Sequence, residues 1–165
     1  MKIRKTTPAD LPAVMDIYHR AQLRMAAEGN PHQWGVAHPP QALIEADIAA
    51  GHSYVCEDTP GRVGAVFYWC VADDPTYASI NGAWAAPGPY GVVHRIARHE
   101  EAKGAGAFCL EWCFAQHPNV RIDTFKDNRA MLVMLQRLGY VYCGVIRLGV
   151  CDDPAMDERL AFQKV

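Results

Sequence analysis

Apolar residues Leu11, Val14, Met15, Ile17, Tyr18, Ala21, Leu23 and Met25 recur at near-helical spacing, which predicts an amphipathic helix. Thr7, Pro8 and Asp10 supply its start signals, and Gly29, Asn30 and Pro31 its stop. A short strand around Ile3 precedes it. A loop over residues 32–40 comes next, then a second helix over residues 41–50 closed by Gly51. Apolar, β-branched and aromatic runs at residues 53–56 and 63–71, joined by Asp58-Thr59-Pro60-Gly61, predict a hairpin. Residues 73–89 show no periodicity and many Pro, Gly and Trp, the pattern of an ordered, site-forming loop. Beyond it the pattern predicts a strand over 90–97, a glycine turn at 104–106 and a helix ending near Pro118. A strand over 120–125, a helix capped by Asp127 and stopped at Gly139, and strands over 141–148 and 159–164 complete the chain. The order β-α-α-β-β-β-α-β-α-β-β describes one mixed α/β (α+β) sheet, with helices packed on its faces.

Half of the 165 residues are apolar, enough for one substantial core and rather few for two, so a single domain over residues 1–165 is expected. The charged residues change the picture only by exclusion. Sixteen Lys and Arg against 18 Asp and Glu give a net charge of −2 with no basic stripe, which argues against a nucleic-acid partner. The six cysteines are scattered without a CxxC pair; Cys109 and Cys113 lie on a predicted helix, but no second pair completes a metal site. No metal is expected. The start Met1-Lys2-Ile3-Arg4-Lys5 has no signal-peptide core, and no apolar run approaches the length of a membrane span, so a soluble, cytoplasmic protein without a membrane partner is expected.

The strongest local signal is strand 92–97 followed by Lys103-Gly104-Ala105-Gly106 and a helix. Glycines at such a turn admit a ligand close to the backbone, and the helix start offers unpaired N–H groups to an anion such as a pyrophosphate. No Lys-Ser/Thr follows the second glycine, so the turn is not a P-loop, and it lacks the third glycine of a dinucleotide fingerprint.

With this turn, written Glu101-Ala102-Lys103-Gly104-Ala105-Gly106, with Asn128 opening the next helix, with Gly139-Tyr140 closing it, and with Thr7-Pro8-Ala9-Asp10-Leu11 after the first strand, the chain resembles the GCN5-related N-acetyltransferases (GNAT) over essentially its whole length. The resemblance implies a mainly antiparallel twisted sheet with helices on both faces, and acetyl-CoA as co-substrate. It places the CoA pyrophosphate on the backbone of Lys103, Gly104, Ala105, Gly106 and Ala107, and the pantetheine arm beside Asn128 between splayed strands 92–97 and 120–125. The backbone at Ile96 and Ala97 then takes the thioester end. Two positions depart from the family pattern: Glu101 stands where the turn carries Gln or Arg, which calls for a side chain that points to solvent or pairs with Lys103 or Arg98. Leu135, seven residues after Asn128, stands where many members carry the Tyr that protonates the departing thiolate. Tyr140, Tyr142 and Cys143 are near in sequence, but strand alternation lets only one of the last two face a site.

An alkylamine acceptor is mostly protonated at neutral pH and needs a base. His94, on the strand beside the expected thioester, is the candidate; the resemblance extends to arylalkylamine acetyltransferases, which carry a His at this place. Trp34, Trp84 and Tyr90, with Tyr18 and His32 behind them, are the candidates for the acceptor wall, because aromatic faces suit apolar or cationic amines. Arg95 and Asp123 fit either a solvated face or a strand-to-strand pair. The expected activity is acetyl transfer to a primary amine, of a small molecule or of a peptide or protein, by direct attack in a ternary complex; a homodimer is compatible with the chain. The alternative is an acyl-CoA-binding sensor without efficient catalysis.

Overall fold

Strand alternation builds the two sides of the molecule. The computed structural model describes residues 1–165. The chain runs β1 (Lys2–Lys5), α1 (Leu11–Ala27), α2 (Gln41–Ala49), β2 (Ser53–Thr59), β3 (Arg62–Val71), β4 (Asn81–Gly82), β5 (Gly91–Arg98), α3 (Ala105–Gln116), β6 (Val120–Thr124), α4 (Arg129–Arg137), β7 (Val141–Arg147), α5 (Pro154–Asp157) and β8 (Glu158–Lys164). Val55 and Val66 point to one face of the hairpin and pack with Val14, Ile17, Tyr18 and Ala21 of α1 and Ile44 of α2. Cys56, Ala65 and Phe67 point to the other and pack with Cys109, Leu110 and Cys113 of α3 and Leu135 of α4. Helices therefore cover both faces.

The sheet has eight strands in the order β1-β2-β3-β5-β6-β8-β7-β4, with every neighbouring pair antiparallel except β5 and β6. The predicted elements are all present. β4 and α5, two and four residues long, are additions that no periodicity announces. Asn128, and not Asp127, caps α4: its Oδ1 accepts the Met131 N–H at 3.1 Å. At the first helix, Asp10 accepts from both the N–H and the hydroxyl of Thr7 while pairing with Arg4, which ties β1 to a single 3-10 turn ahead of α1.

Two features of β5 shape the centre of the sheet. First, β5 and β6 pair only through Gly91↔Val120, Val92↔Arg121 and Val93↔Ile122. Beyond Val93 the strands part, leaving the β6-facing backbone of residues 94–98 free of strand partners. Second, the β3–β5 register slips between Val66↔Ala97 and Tyr68↔His94, so β5 holds one residue more than its partner. The extra residue is accommodated at Arg95, the only non-glycine residue with a positive φ, 51°. This bulge turns His94 and Arg95 toward the same α1/α2 side.

Such a conformation persists only when its surroundings hold it. The Tyr18 hydroxyl donates to the Arg95 carbonyl at 2.9 Å, and the Arg95 guanidinium pairs with Asp47 of α2 at 2.8 Å. Arg95 thus forms a helix-to-strand ion pair, which the sequence pattern did not distinguish from a solvated face. The start of β5 is held equally tightly: a Cβ on Gly91 would stand 1.9 Å from the Trp69 ring. Gly91→Ala is expected to destabilise the fold by about 2 kcal/mol or more, the scale of an overpacked core. Urea unfolding with an unchanged slope checks it.

Candidate functional site

Where β5 and β6 diverge, a cavity of about 670 Å³ opens, lined among others by Trp34, His94, Ile96, Asp123, Asn128 and Arg159. A second, of about 390 Å³, lies between the start of α3, the length of α4 and the end of α1, and shares Met25, Ile96, Asn128 and Met131 with the first. Together they form a continuous groove through the gap between the strands.

At the α3 end of the groove the glycine turn leaves some of its backbone N–H groups without a protein acceptor and uses others internally. Gly104 is the N-cap of α3 at φ 82°, a backbone only glycine adopts freely. The N–H groups of Lys103 and Ala105 are spent inside the turn, on the carbonyls of Glu101 and Ala102. Those of Gly104, Gly106 and Ala107 have no acceptor in the protein, and these three residues line the second cavity. Lys103 and Ala105 therefore shape the turn while Gly104, Gly106 and Ala107 present it. Arg24, Arg98 and Arg137 line the same cavity, a cationic rim from three elements that no local motif announces. Glu101 is turned away: it pairs with Arg62 at 2.7 Å, not with Lys103 or Arg98, so its charge does not face the groove.

Ile96 lines both cavities and Ala97 the second, on the unpaired edge of β5. Asn128 also borders both. Its Oδ1 caps α4 and its Nδ2 donates to Gln33 Oε1 at 2.9 Å, so the side chain binds the 32–40 loop to the groove. The aromatic candidates separate. Trp34 lines the first cavity, edge-on to Tyr18 at 5.7 Å, and His32 lines it too. Trp84 and Tyr90 do not reach it: they sandwich Arg121, with guanidinium-to-ring distances of 4.2 and 3.8 Å, in a separate cluster. Tyr90 touches the site only by accepting the Asp74 N–H at 2.9 Å.

Asp74 is the residue that the sequence pattern missed. It caps a 3-10 turn over Pro75–Tyr77, its Oδ1 accepting the Thr76 N–H at 2.8 Å and the Thr76 hydroxyl at 2.6 Å. Its other oxygen lies 2.6 Å from His94 Nε2. A carboxylate only accepts, so Nε2 carries the proton and the lone pair of the neutral imidazole stands on Nδ1. Nδ1 is 3.6 Å from Asp123 Oδ1, too long for a direct hydrogen bond, and that oxygen accepts the Tyr77 hydroxyl at 2.7 Å. A proton arriving at Nδ1 would leave an imidazolium between two carboxylates. All three side chains line the first cavity.

Burial pushes the Asp74 carboxyl up, but hydrogen bonds from His94 and Thr76 outweigh it and bring the pKa down to about 2. The folded value lies below the ordinary value of about 3.9. Asp74 therefore stabilises the fold above pH ~4, and that contribution is lost as pH falls through about 2. Asp74→Asn is expected to cost on the order of 2 kcal/mol at pH 7, with the gap to the parent closing toward pH ~2, as urea titrations across that range will read. Burial and the neighbouring Asp123 raise the Tyr77 hydroxyl well above its ordinary value, which keeps it a donor.

The other candidates for proton donor stand outside the cavities. Leu135 is buried in the core, as is Tyr140, while Tyr142 is exposed on the outside of β7 and Cys143 is buried there. No group of three or more His, Cys, Asp or Glu is arranged to hold a metal ion. No helix is long and apolar enough to cross a membrane.

No family model matches the sequence, and no curated protein is similar to it in sequence. Solved structures are similar over the whole chain. A GNAT-family acetyltransferase from Streptococcus agalactiae superposes with a TM-score of 0.86 at 27% identity, covering 99% of this chain and 94% of the other. A ribosomal-protein-alanine N-acetyltransferase from Brucella melitensis gives 0.65 at 17% identity, covering 100% and 99%. A GNAT-superfamily phosphinothricin acetyltransferase from Sinorhizobium meliloti, in complex with AcCoA, gives 0.67 at 15% identity, covering 99% and 86%. The last two speak for the fold alone. With the Streptococcus agalactiae protein matched along the whole chain, and with the parted β5 and β6 and the glycine-capped α3 in place, this chain belongs to the GNAT superfamily.

Proposed function

We propose that this protein is an N-acetyltransferase that moves the acetyl group of acetyl-CoA to a primary amine by direct attack in a ternary complex. The observation that carries the proposal is the continuous groove through the β5–β6 gap, with free backbone donors at one end and a carboxylate-oriented histidine at the other. The similar fold from Sinorhizobium meliloti binds AcCoA, which supports the choice of co-substrate.

The residues present fit that co-substrate. The Gly104, Gly106 and Ala107 N–H groups and the positive end of the α3 dipole suit a pyrophosphate, with Arg24, Arg98 and Arg137 adding charge. The open edge of β5 offers peptide-like hydrogen bonds to the pantetheine amides, as it would to an added strand. The Ile96 N–H, on the β5 edge away from β3, suits polarisation of a carbonyl oxygen in the gap. Acetyl-CoA supplies an activated thioester, whose C–S bond is exchanged for a C–N bond to the amine.

His94 accepts a proton at Nδ1 from the bound ammonium, directly or through a water, and the lone pair freed on the neutral amine attacks the thioester carbonyl. Asp74 fixes the ring and the tautomer, and Asp123 stabilises the charge that develops. Trp34 walls the acceptor side. With Leu135 in the core, solvent water is the proton source for the departing thiolate, which is a tolerable leaving group.

The test is acetyl-CoA turnover against a panel of small amines, amino acids, aminoglycosides and peptides with free N-termini, read by release of free thiol and by product mass. An acylated amine is the expected result. Saturable acetyl-CoA binding with no acylated product anywhere in the panel would instead leave an acyl-CoA-binding module.

A further inference from the structure

Two guanidinium groups line the cavity that holds His94, and their surroundings differ. Arg95 is paired with Asp47. Arg159 is only 7% exposed and forms no salt bridge. Its Nη1 donates to the carbonyls of Met156 at 2.7 Å and Glu158 at 2.9 Å, and the group rests on the Phe125 ring at 5.0 Å. Its Nε and Nη2 have no acceptor in the protein, while the guanidinium is held in one orientation.

An unpaired buried charge is costly and needs compensation from its surroundings; Asp123 and Asp157 act on Arg159 only from beyond ion-pair distance. Arg121 shows the intramolecular solution: equally buried and without a carboxylate, it is covered on both sides by Trp84 and Tyr90, and it does not line the cavity. Arg159 has one ring and an open face. It also lies on the correct side of the sheet. β6 pairs with β8 through Asp123↔Ala161, so Arg159, two residues before Ala161, shares a face with Asp123, beside which His94 Nδ1 lies. The CoA phosphates do not account for it, because Arg24, Arg98 and Arg137 serve the other end of the groove.

We propose that Arg159 is an anion subsite of the acceptor pocket, so that the acceptor is a small molecule carrying both a primary amine and a carboxylate or comparable anionic group. The amine is directed to Asp74, His94 and Asp123, and the anion to the free edge of the Arg159 guanidinium. The inference deepens the acetyltransferase reading and rests on it for the identity of the amine as the reacting group.

The test begins with binding, so that it does not depend on turnover. L-methionine, 4-aminobutyrate and 2-aminoethylphosphonate are titrated calorimetrically into the protein–CoA complex beside L-methioninamide, 4-aminobutanamide and 2-aminoethanol, which lack the charge. At least one acid is expected to bind about tenfold to a hundredfold more tightly than its neutral counterpart, the scale of a charge-assisted bidentate contact. Arg159→Gln should erase that difference while leaving acetyl-CoA affinity unchanged, and Arg159→Lys should restore part of it. Neutral counterparts binding as well as every acid would overturn the proposal on the parent protein alone, whatever the variants do. Preferential binding of an acid that Arg159→Gln abolishes, but with no acetylated product, would keep the subsite and sink the acetyltransferase reading.

Discussion

His94→Ala is expected to lower kcat for amine acetylation by on the order of 10²–10⁴-fold, the contribution of a positioned general base, with acetyl-CoA affinity unchanged. Asp74 accepts from Nε2, so the basic nitrogen is Nδ1, and Nδ1 is the one facing Asp123 across the cavity. A structural histidine at this position would instead show its loss as reduced stability and equal loss of binding and turnover. His94→Gln refines the test, since an amide retains a donor for Asp74 but supplies no base. Asp74→Asn should fall between, because it removes the group that sets the tautomer and leaves the imidazole in place. Steady-state kinetics with a slow acceptor, where KM approaches the dissociation constant, separates these outcomes.

Ala107→Glu is expected to abolish measurable acetyl-CoA binding without unfolding the protein. Ala107 sits in the first turn of α3, where a carboxylate is tolerated by the helix dipole, and its N–H is one of the three free donors lining the groove. Gly104→Glu is a weaker control, because its φ of 82° adds backbone strain to any effect on the ligand. A ligand at about 100 times its dissociation constant contributes roughly 2.7 kcal/mol to folded-state stability. For a domain of this size that raises Tm by roughly 5–10 °C. The parent protein should show this shift and Ala107→Glu should not, at a starting Tm within a few degrees of the parent.

The order of the major elements was legible because each carries either a 3.6-residue period or a strand-like run with turn residues beside it. α1 and the β2–β3 hairpin are examples of both signals. β4 and α5 were invisible because two and four residues are too few to show a period. The glycine turn was legible as a motif, yet which donors remain free depended on bonds internal to the turn. His94 was legible by its place on β5; Asp74 was not, since it approaches from a segment 20 residues away that has no periodic pattern. Its only local signal was Asp74-Pro75-Thr76, an N-cap followed by proline, which marks a turn but does not say what the second carboxylate oxygen faces. Trp84 and Tyr90 show the converse limit: aromatics in an irregular segment were candidates for the acceptor wall, and they cover Arg121 instead.

A crystal structure of the CoA complex shows whether acetyl-CoA lies through the β5–β6 gap with its reactive end beside His94. Pyrophosphate oxygens are expected about 3 Å from the N–H groups of Gly104, Gly106 and Ala107, and the thiol in the gap next to Ile96, opening toward the Asp74–His94–Asp123 cluster. CoA bound away from the α3 start, or a thiol emerging on the side of the sheet opposite His94, would overturn that placement.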